Sequence, residues 1–591
     1  MLITKSIICT SLSYVQAIVA ADIVYSVILS SPSNDIGVLI KDTMYALKPS
    51  KQSSILFQGQ APANEPYSYC KLEKKTAKKI ECEEFKRPAL SFSSLNEFYN
   101  RNWNIKSLVS FESVSSISKN FNRQPDNSAL HPIGEIPTIQ IKANQSDFDN
   151  IHKHYLQDIQ IKADVTYIST KSVQVFSDAK FEIGGRSSRR LTKFAYNLKL
   201  NKKDNDTLGG YKKLKLRTTV TDPSYMREYI ITEMLNAVNQ PSTRASFVRV
   251  FLNDRPVGLF SLEEKYDKTW LTNEFGGASN EYATGILYEG EGGNSKNNRA
   301  DLSYKGDQTS AYESSAYSVS EKSEAGANGL DDLSHFIQFI HDQQELQKTA
   351  DAATIAATAS EWEKQLDVEG FLVAMACEFT FGLFDAYLQN TNNYYLYKNP
   401  EQNRFTWIMW DFDLSMGSGP VNMKKIAVGD YTSFEGFKTR PLISALLNVP
   451  KFKTLFEDHL KTIMDKVYNP SISYPVIDSV AELIRDDVAW DKTLPHVRKG
   501  AEYIDPILTN IINHNFNNQS NQNIGLPSSL SITTAADYII RLNTDIPFDK
   551  AVNGPTGHVS LYGLKEWIKA KVDNYKKKTR YNPLLDLPLK H

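Results

Sequence analysis

The sequence predicts an α+β fold in three parts, and three observations carry that reading. Residues 22 to about 110 alternate apolar and polar positions in short runs split by turns, the pattern of a small β-sandwich-like domain. Residues 135–265 interleave strands with one strongly periodic helix, and residues 266–591 are mainly helical. A Ser- and Asn-rich linker at 111–134 separates the first two parts.

The first residues set the compartment. Lys5 precedes an apolar run over residues 7–19 that ends in Ala20 and Ala21, so residues 1–21 read as a secretory signal peptide. No later segment approaches the ~18 apolar residues of a membrane span, and the carboxyl terminus is too short and polar for a lipid-anchor signal. The expectation is a secreted or secretory-lumen protein without a transmembrane segment. Cys70 and Cys82 flank a Lys-rich segment and are expected to close a short disulfide loop in that oxidising compartment, whereas Cys377 reads as a buried small residue. Asn144, Asn205 and Asn518 stand in Asn-x-Ser/Thr sequons, as glycosylation requires. A net charge of −1 argues against nucleic acid as a partner, because duplex binding rests on basic patches.

From residue 163 the elements can be justified in order. Residues 181–183 run into the turn Gly184-Gly185-Arg186-Ser187-Ser188-Arg189-Arg190, and residues 194–200 read as the next strand, with Asn197 and Lys199 on one face. Residues 213–217 alternate strictly, leucines on one face and Lys213, Lys215 and Arg217 on the other. Asp222-Pro223 provides an N-cap and a first helical residue for a helix over 224–238. Two strands follow, at 247–252 and 257–262, joined by Asn253-Asp254-Arg255-Pro256. A glycine-rich turn, a strand with lysine, a helix with an acid and two further strands is the element order of a kinase small lobe. Beyond it, helical patterns at 330–348 and 361–384 lead to Asp385, then strands at 394–397 and 405–410, then helices at 440–490, 497–517 and 560–577.

The chemistry concentrates in Trp410-Asp411-Phe412-Asp413 and the loop before it, which holds Asp385, Asn392 and Asn393. Asp-x-Asp on an extended chain places both carboxylates on one side, where they can hold a divalent cation; the competing reading is a solvated or capping pair. Phosphoryl transfer requires metal ligands, a base that orients the nucleophile and an amide in the metal shell, and Asp411, Asp413, Asp385 and Asn393 supply them. Gly185 and Arg186 can cradle phosphates, or form a solvated hairpin tip. Lys199 and Lys215 are rival phosphate-pairing lysines, to be held by Glu233 on the helix, with Arg217 alongside. Trp410 either stacks on a base or packs in the core. No complete Walker sequence, His-Glu-x-x-His or Gly-x-Ser-x-Gly competes with this reading.

The chain resembles the CotH spore-coat kinase family. The resemblance rests on Gly184-Gly185-Arg186-Ser187-Ser188 with Lys193, Leu198-Lys199-Leu200, Leu214-Lys215-Leu216-Arg217, and Asp222-Pro223-Ser224 with Arg227. It continues through Ala300-Asp301-Leu302-Ser303-Tyr304-Lys305-Gly306-Asp307, Phe384-Asp385-Ala386-Tyr387, Asn393-Tyr394-Tyr395-Leu396-Tyr397, Trp410-Asp411-Phe412-Asp413 and Arg440-Pro441-Leu442-Ile443, covering residues 135–520. The stretch from Leu95 to Arg101 is similar to fungal secreted members. Bacterial members commonly place a His-Asn about five residues after the catalytic aspartate; here Asn392 and Asn393 follow at seven and eight.

The resemblance implies an atypical protein-kinase-like, two-lobed fold, with residues 135–265 as the small lobe and 266–591 as the large lobe and extension. It also implies ATP with Mg2+ or Mn2+ as cofactors and a secretory or spore-coat protein as substrate. Asp385 matches the family's catalytic aspartate, Asp411 its metal-binding aspartate and Trp410 an aromatic that packs on adenine. Some fungal members are implicated as invasins that bind a host receptor through the loop equivalent to residues 388–404, which makes a secreted or surface adhesin the alternative. A catalytically inactive coat protein is a third reading.

Overall fold

The computed structural model describes residues 22–580 except 32, 124–128, 202–206, 293–298, 314–315, 327 and 499–528. The signal peptide, Asn205, Asn518 and the helix expected at 497–517 therefore lie outside the described residues. Two compact units are present: the first comprises the chain up to Asn104 with Ile168–Val173, and the second holds the rest. Among the described residues no helix is long and apolar enough to cross a membrane.

The first unit contains two four-stranded sheets. The period-two alternation in Asp22–Ile28 and Asn34–Ile40 buries Tyr25, Val27, Ile36 and Val38 in one core with Phe57, Tyr67 and Tyr69. Cys70 and Cys82 face each other across paired strands and are joined by a disulfide, as the sequence predicts.

The second unit contains a closed seven-stranded barrel, β1 (Thr138–Lys142), β2 (Gln160–Ile168), β3 (Val173–Ile183), β4 (Tyr196–Lys199), β5 (Lys213–Arg217), β6 (Ala245–Leu252) and β7 (Arg255–Glu264). Its order is β2-β3-β4-β5-β7-β6-β1. The barrel is filled by the inward residues of each strand, among them Phe181, Leu198, Leu214, Leu216 and Phe260. Because side chains alternate, burying Leu214 and Leu216 turns Lys213, Lys215 and Arg217 outward together.

Helix α1 (Arg227–Ala237) starts later than Asp222-Pro223 predicts. Tyr225 adopts φ 61°, a left-handed conformation that no helix tolerates, so the chain makes a turn first. Asp222 still receives the orphan N–H of Arg227 at 2.8 Å and that of Ser224 at 2.9 Å.

A second sheet, ordered β9-β8-β10-β11, joins β8 (Leu287–Gly290), β9 (Tyr317–Glu321), β10 (Tyr394–Asn399) and β11 (Arg404–Met409). Helix α2 (Val368–Phe381) packs on β11, with Phe371 edge-on to Trp407 at 5.0 Å. Gly382, at φ 65°, ends α2 just before Asp385. Further on are α4 (Pro441–Leu447) and α5 (Pro470–Thr493), while the short turn α3 (Tyr387–Asn390) follows Asp385.

A buried tie fixes the approach to the cleft. Asp491 of α5 accepts from Lys193 Nζ (2.6 Å), the Tyr225 hydroxyl (2.7 Å) and the Leu259 N–H (2.8 Å). Gly258, at φ 117°, is required here, because a Cβ would lie 1.7 Å from the Asp491 carboxylate. The end of the glycine-rich turn, the approach to α1 and strand β7 are thereby held at one point.

Candidate functional site

A cleft of about 1050 Å3 runs along the outward residues of β4, β5 and β7, the glycine-rich turn, the loop after Asp385 and the end of β11. Of the residues expected in a site, it is lined by Gly185, Arg186, Lys199, Lys215, Arg217, Asp385, Asn393, Trp410, Asp411 and Asp413. Residues scattered over more than 200 positions are thus brought to one wall or the other.

Asp385 stands in a cage of side-chain amides. Its Oδ1 accepts from Asn390 at 2.6 Å and from Asn392 at 3.1 Å, while Asn393 donates to the Asp385 carbonyl at 2.7 Å and to Oδ2 at 3.3 Å. Thr391 and Asn393 both adopt φ 55°, which folds the loop back so that three asparagines reach one carboxylate. For a β-branched residue such as Thr391 that conformation stores strain, held here by complete burial. Burial pushes Asp385 up to about 7, the Asn390 and Asn392 amides opposing it and the charges of Asp411 and Asp413 adding to it.

Asp411 and Asp413 do not sit on an extended strand, contrary to the sequence expectation. Strand β11 ends at Met409 and Asp411 adopts φ 64°, so the pair lies on a turn. The turn nevertheless brings both carboxylates to one guanidinium: Arg217 pairs with Asp411 and lies 3.1 Å from Asp413. Thr221 donates to Asp413 at 2.9 Å. Burial acts to raise both acids; for Asp411 the Arg217 and Lys215 charges outweigh it and bring the carboxyl to about 2, whereas Asp413, facing the Asp411 charge, is raised to about 6.

On helix α1 Glu228 lines the cleft and Glu233, expected there from the sequence, does not. Glu228 accepts from the Phe412 N–H at 3.2 Å and lies 3.7 Å from Arg217, and burial pushes it up to about 8. Five residues on, Glu233 is turned about 140° round the helix and lies near Tyr229, outside the cleft. Sequence reasoning missed Glu228 and Asn390. The available signals were the short connection from Arg217 to the first turn of α1, and the five-residue step from Asp385 to Asn390, which is the Asp-to-Asn spacing of a kinase catalytic loop.

The basic wall is graded. Lys215 pairs in register with Glu263 and places its ammonium 5.9 Å over Trp410, beside the aspartates. Lys199 lies opposite Lys180 and Lys213 in register, a cationic row farther along the sheet. Arg186 reaches Glu291 at 2.7 Å, and Gly185 takes φ 77° with the Ser188 hydroxyl packed where a Cβ would be. Trp410 packs against Tyr395 at 5.5 Å with the rings tilted by 30°, and among the described residues its buried indole N–H has no hydrogen-bond partner. Asn144 is exposed at the start of the helix Gln145–Lys153.

The residues present fit a divalent cation. The donors are carboxylate and amide oxygens, suited to Mg2+ or Mn2+. The carboxyl groups of Asp385, Asp411, Asp413, Glu228 and Glu263 line the cleft beside Arg217 and Lys215, and Arg217 already marks the point where two carboxylates converge on a cation. Among the described residues no group of three His, Cys, Asp or Glu side chains is arranged to hold a metal by itself. The set is that of a cation held by one or two carboxylates and completed by substrate phosphates and water.

Residues 181–517 match the family described as CotH kinase protein. Invasin CotH3 of Rhizopus delemar is 24% identical over 82% of this chain and 78% of its own. Spore coat protein homolog 1 of the same organism is 22% identical over 83% of this chain and 76% of its own. Inner spore coat protein H of Bacillus subtilis is 22% identical over 63% of this chain and 92% of its own. With the match covering more than half of its length and the whole acidic wall of the cleft, the chain belongs to the CotH kinase protein family.

Proposed function

We propose that this protein is a secreted, metal-dependent protein kinase that transfers the γ-phosphoryl group of ATP to serine or threonine hydroxyls of secretory, spore-coat or cell-wall proteins. One observation carries the reading: a caged aspartate, Asp385, faces the same cleft as a carboxylate pair and a graded row of cations. The barrel would act as a small lobe and the second sheet with its helices as a large lobe. Asp411 and Asp413, with a side-chain amide from the Asp385 loop, would hold Mg2+ or Mn2+, which when bound neutralises phosphate charge. Lys215 and Arg217, the latter paired with the aspartates, would contact phosphates, with Gly185, Arg186 and Lys199 along their path. Trp410 and Tyr395 would pack on the adenine. Asp385 accepts the proton of the acceptor hydroxyl as its oxygen bonds to the γ-phosphorus and the bond to ADP breaks. Incubation with labelled ATP and either metal, with and without an acceptor protein, should yield labelled protein; no transfer under either metal overturns the reading.

An adhesin role is the second reading, favoured by the relatives named invasins and by the exposed turn Glu401-Gln402-Asn403 between β10 and β11. Asp411→Asn separates the two: a kinase loses transfer, while an adhesin keeps its binding to host cells. Nucleotide binding by calorimetry separates both from an inactive coat component.

A further inference from the structure

Arg440 lies outside the cleft, 7% exposed, yet it grips the loop that carries the cage. Its Nε donates to the carbonyls of Tyr387 (3.1 Å) and Leu388 (2.9 Å), and its Nη2 donates to that of Gln389 (2.8 Å). One guanidinium thus takes three successive carbonyls of α3, the turn that separates Asp385 from Asn390. From the other side, fully buried Glu378 accepts the Leu388 N–H at 2.5 Å. Gly436, at φ 103°, brings its backbone so close that a Cβ would stand 2.3 Å from the Leu388 carbonyl. Its own carbonyl accepts the Arg440 N–H at 2.8 Å. A buried polar network of this kind favours one geometry of the loop over others.

Resting on the kinase reading, we infer that Arg440, with Glu378 opposite it, is a positioning residue: it sets α3 so that Asn390, Asn392 and Asn393 reach Asp385. The planar fork of arginine suits the job, since it holds its N–H groups in a fixed plane and spacing, whereas the three donors of a lysine ammonium diverge from one point on a flexible stem. Loss of the fork leaves Lys199, Lys215 and Arg217 on the barrel strands where they are, so binding of metal-free ATP should hold while turnover falls.

The test is Arg440→Lys in the full chain. It should melt cooperatively, bind metal-free ATP within about twofold of the parent by calorimetry, and lose at least tenfold in kcat, the scale expected when a reacting group is misplaced by about 1 Å. In a cycle with Asn390→Ala, the double variant should be no slower than the slower single variant, because both act on Asp385. A parent-like kcat in Arg440→Lys, or losses that multiply in the cycle, overturns the inference. If Arg440→Lys fails to fold, Glu378→Met, which keeps the length and removes the acceptor for the Leu388 N–H, takes its place with the same criteria. A parent chain that transfers no phosphate overturns the kinase reading, and with it any catalytic meaning of the brace; an active parent with an indifferent Arg440→Lys overturns the brace alone.

Discussion

Arg87 in the amino-terminal unit and Arg217 in the cleft are both buried arginines set between carboxylates. Around Arg87 every group is answered. It forks onto Glu83 at 2.7 and 3.0 Å, reaches Glu97 at 3.1 Å, and donates to the carbonyls of Phe98 and Arg101. Glu97 takes two tyrosine hydroxyls at 2.8 Å, and Glu83 takes the N–H groups of Tyr69 and Asn100. Around Arg217 the accounts stay open: Asp411, Asp413 and Glu228 share one guanidinium, and Asp413 and Glu228 are raised well above the ordinary carboxylate range. The first cluster holds a fold together. The second keeps negative charge in reserve for something that binds.

The comparison can be broken most forcefully at Asp385. Asp385→Asn should lower kcat by roughly 10²- to 10⁴-fold while ATP affinity holds, a split that kinetics and calorimetry together resolve. In the closed cluster, Arg87→Met strands two buried carboxylates and should cost the amino-terminal unit about 3–5 kcal/mol in denaturant unfolding. A variant as stable as the parent would show that the network carries no load. Asp413→Asn should do the opposite and stabilise the second unit by about 1 kcal/mol while impairing transfer. The sign follows from linkage: the folded carboxyl is raised, so its ionisation opposes folding, with no penalty below the ordinary aspartate value and the full penalty above about pH 6. Melting at pH 8 should therefore show the gain, and melting at pH 3 should not. The smallest effect concerns pH. Asp385 must be ionised to accept a proton, so transfer should climb as pH rises through about 7; Asn390→Ala, which removes a donor that favours the carboxylate, should move that limb to higher pH.

Much of this was legible because alternation is local. The run Lys213-Leu214-Lys215-Leu216-Arg217 fixes which side chains share a face, and the barrel needed only to bury the leucines. The Cys70–Cys82 pairing was legible for the same reason, as a short loop between strands. What the chain concealed depends on backbone conformation and helical phase. An extended Asp-x-Asp and one twisted at Asp411 have the same letters. Glu228 and Glu233 compete for one role, and only the late start of α1, set by the turn at Tyr225, decides which faces Arg217. Barrel closure was not legible either, since it requires pairing of β1 with β6, more than 100 residues apart.

The left-handed turn at Asp411 narrows what can replace that residue. Asparagine and glycine enter this region of backbone space readily, while alanine or a branched side chain must displace the chain, and with it Trp410 on one side and Phe412 on the other. An Asp411→Ala variant would thus confound a lost charge with a moved aromatic wall. Asparagine at this position is the substitution that leaves the pocket's shape intact, so a chain that bound without catalysing would keep every contour of the cleft and differ from this one by a single oxygen-to-nitrogen exchange.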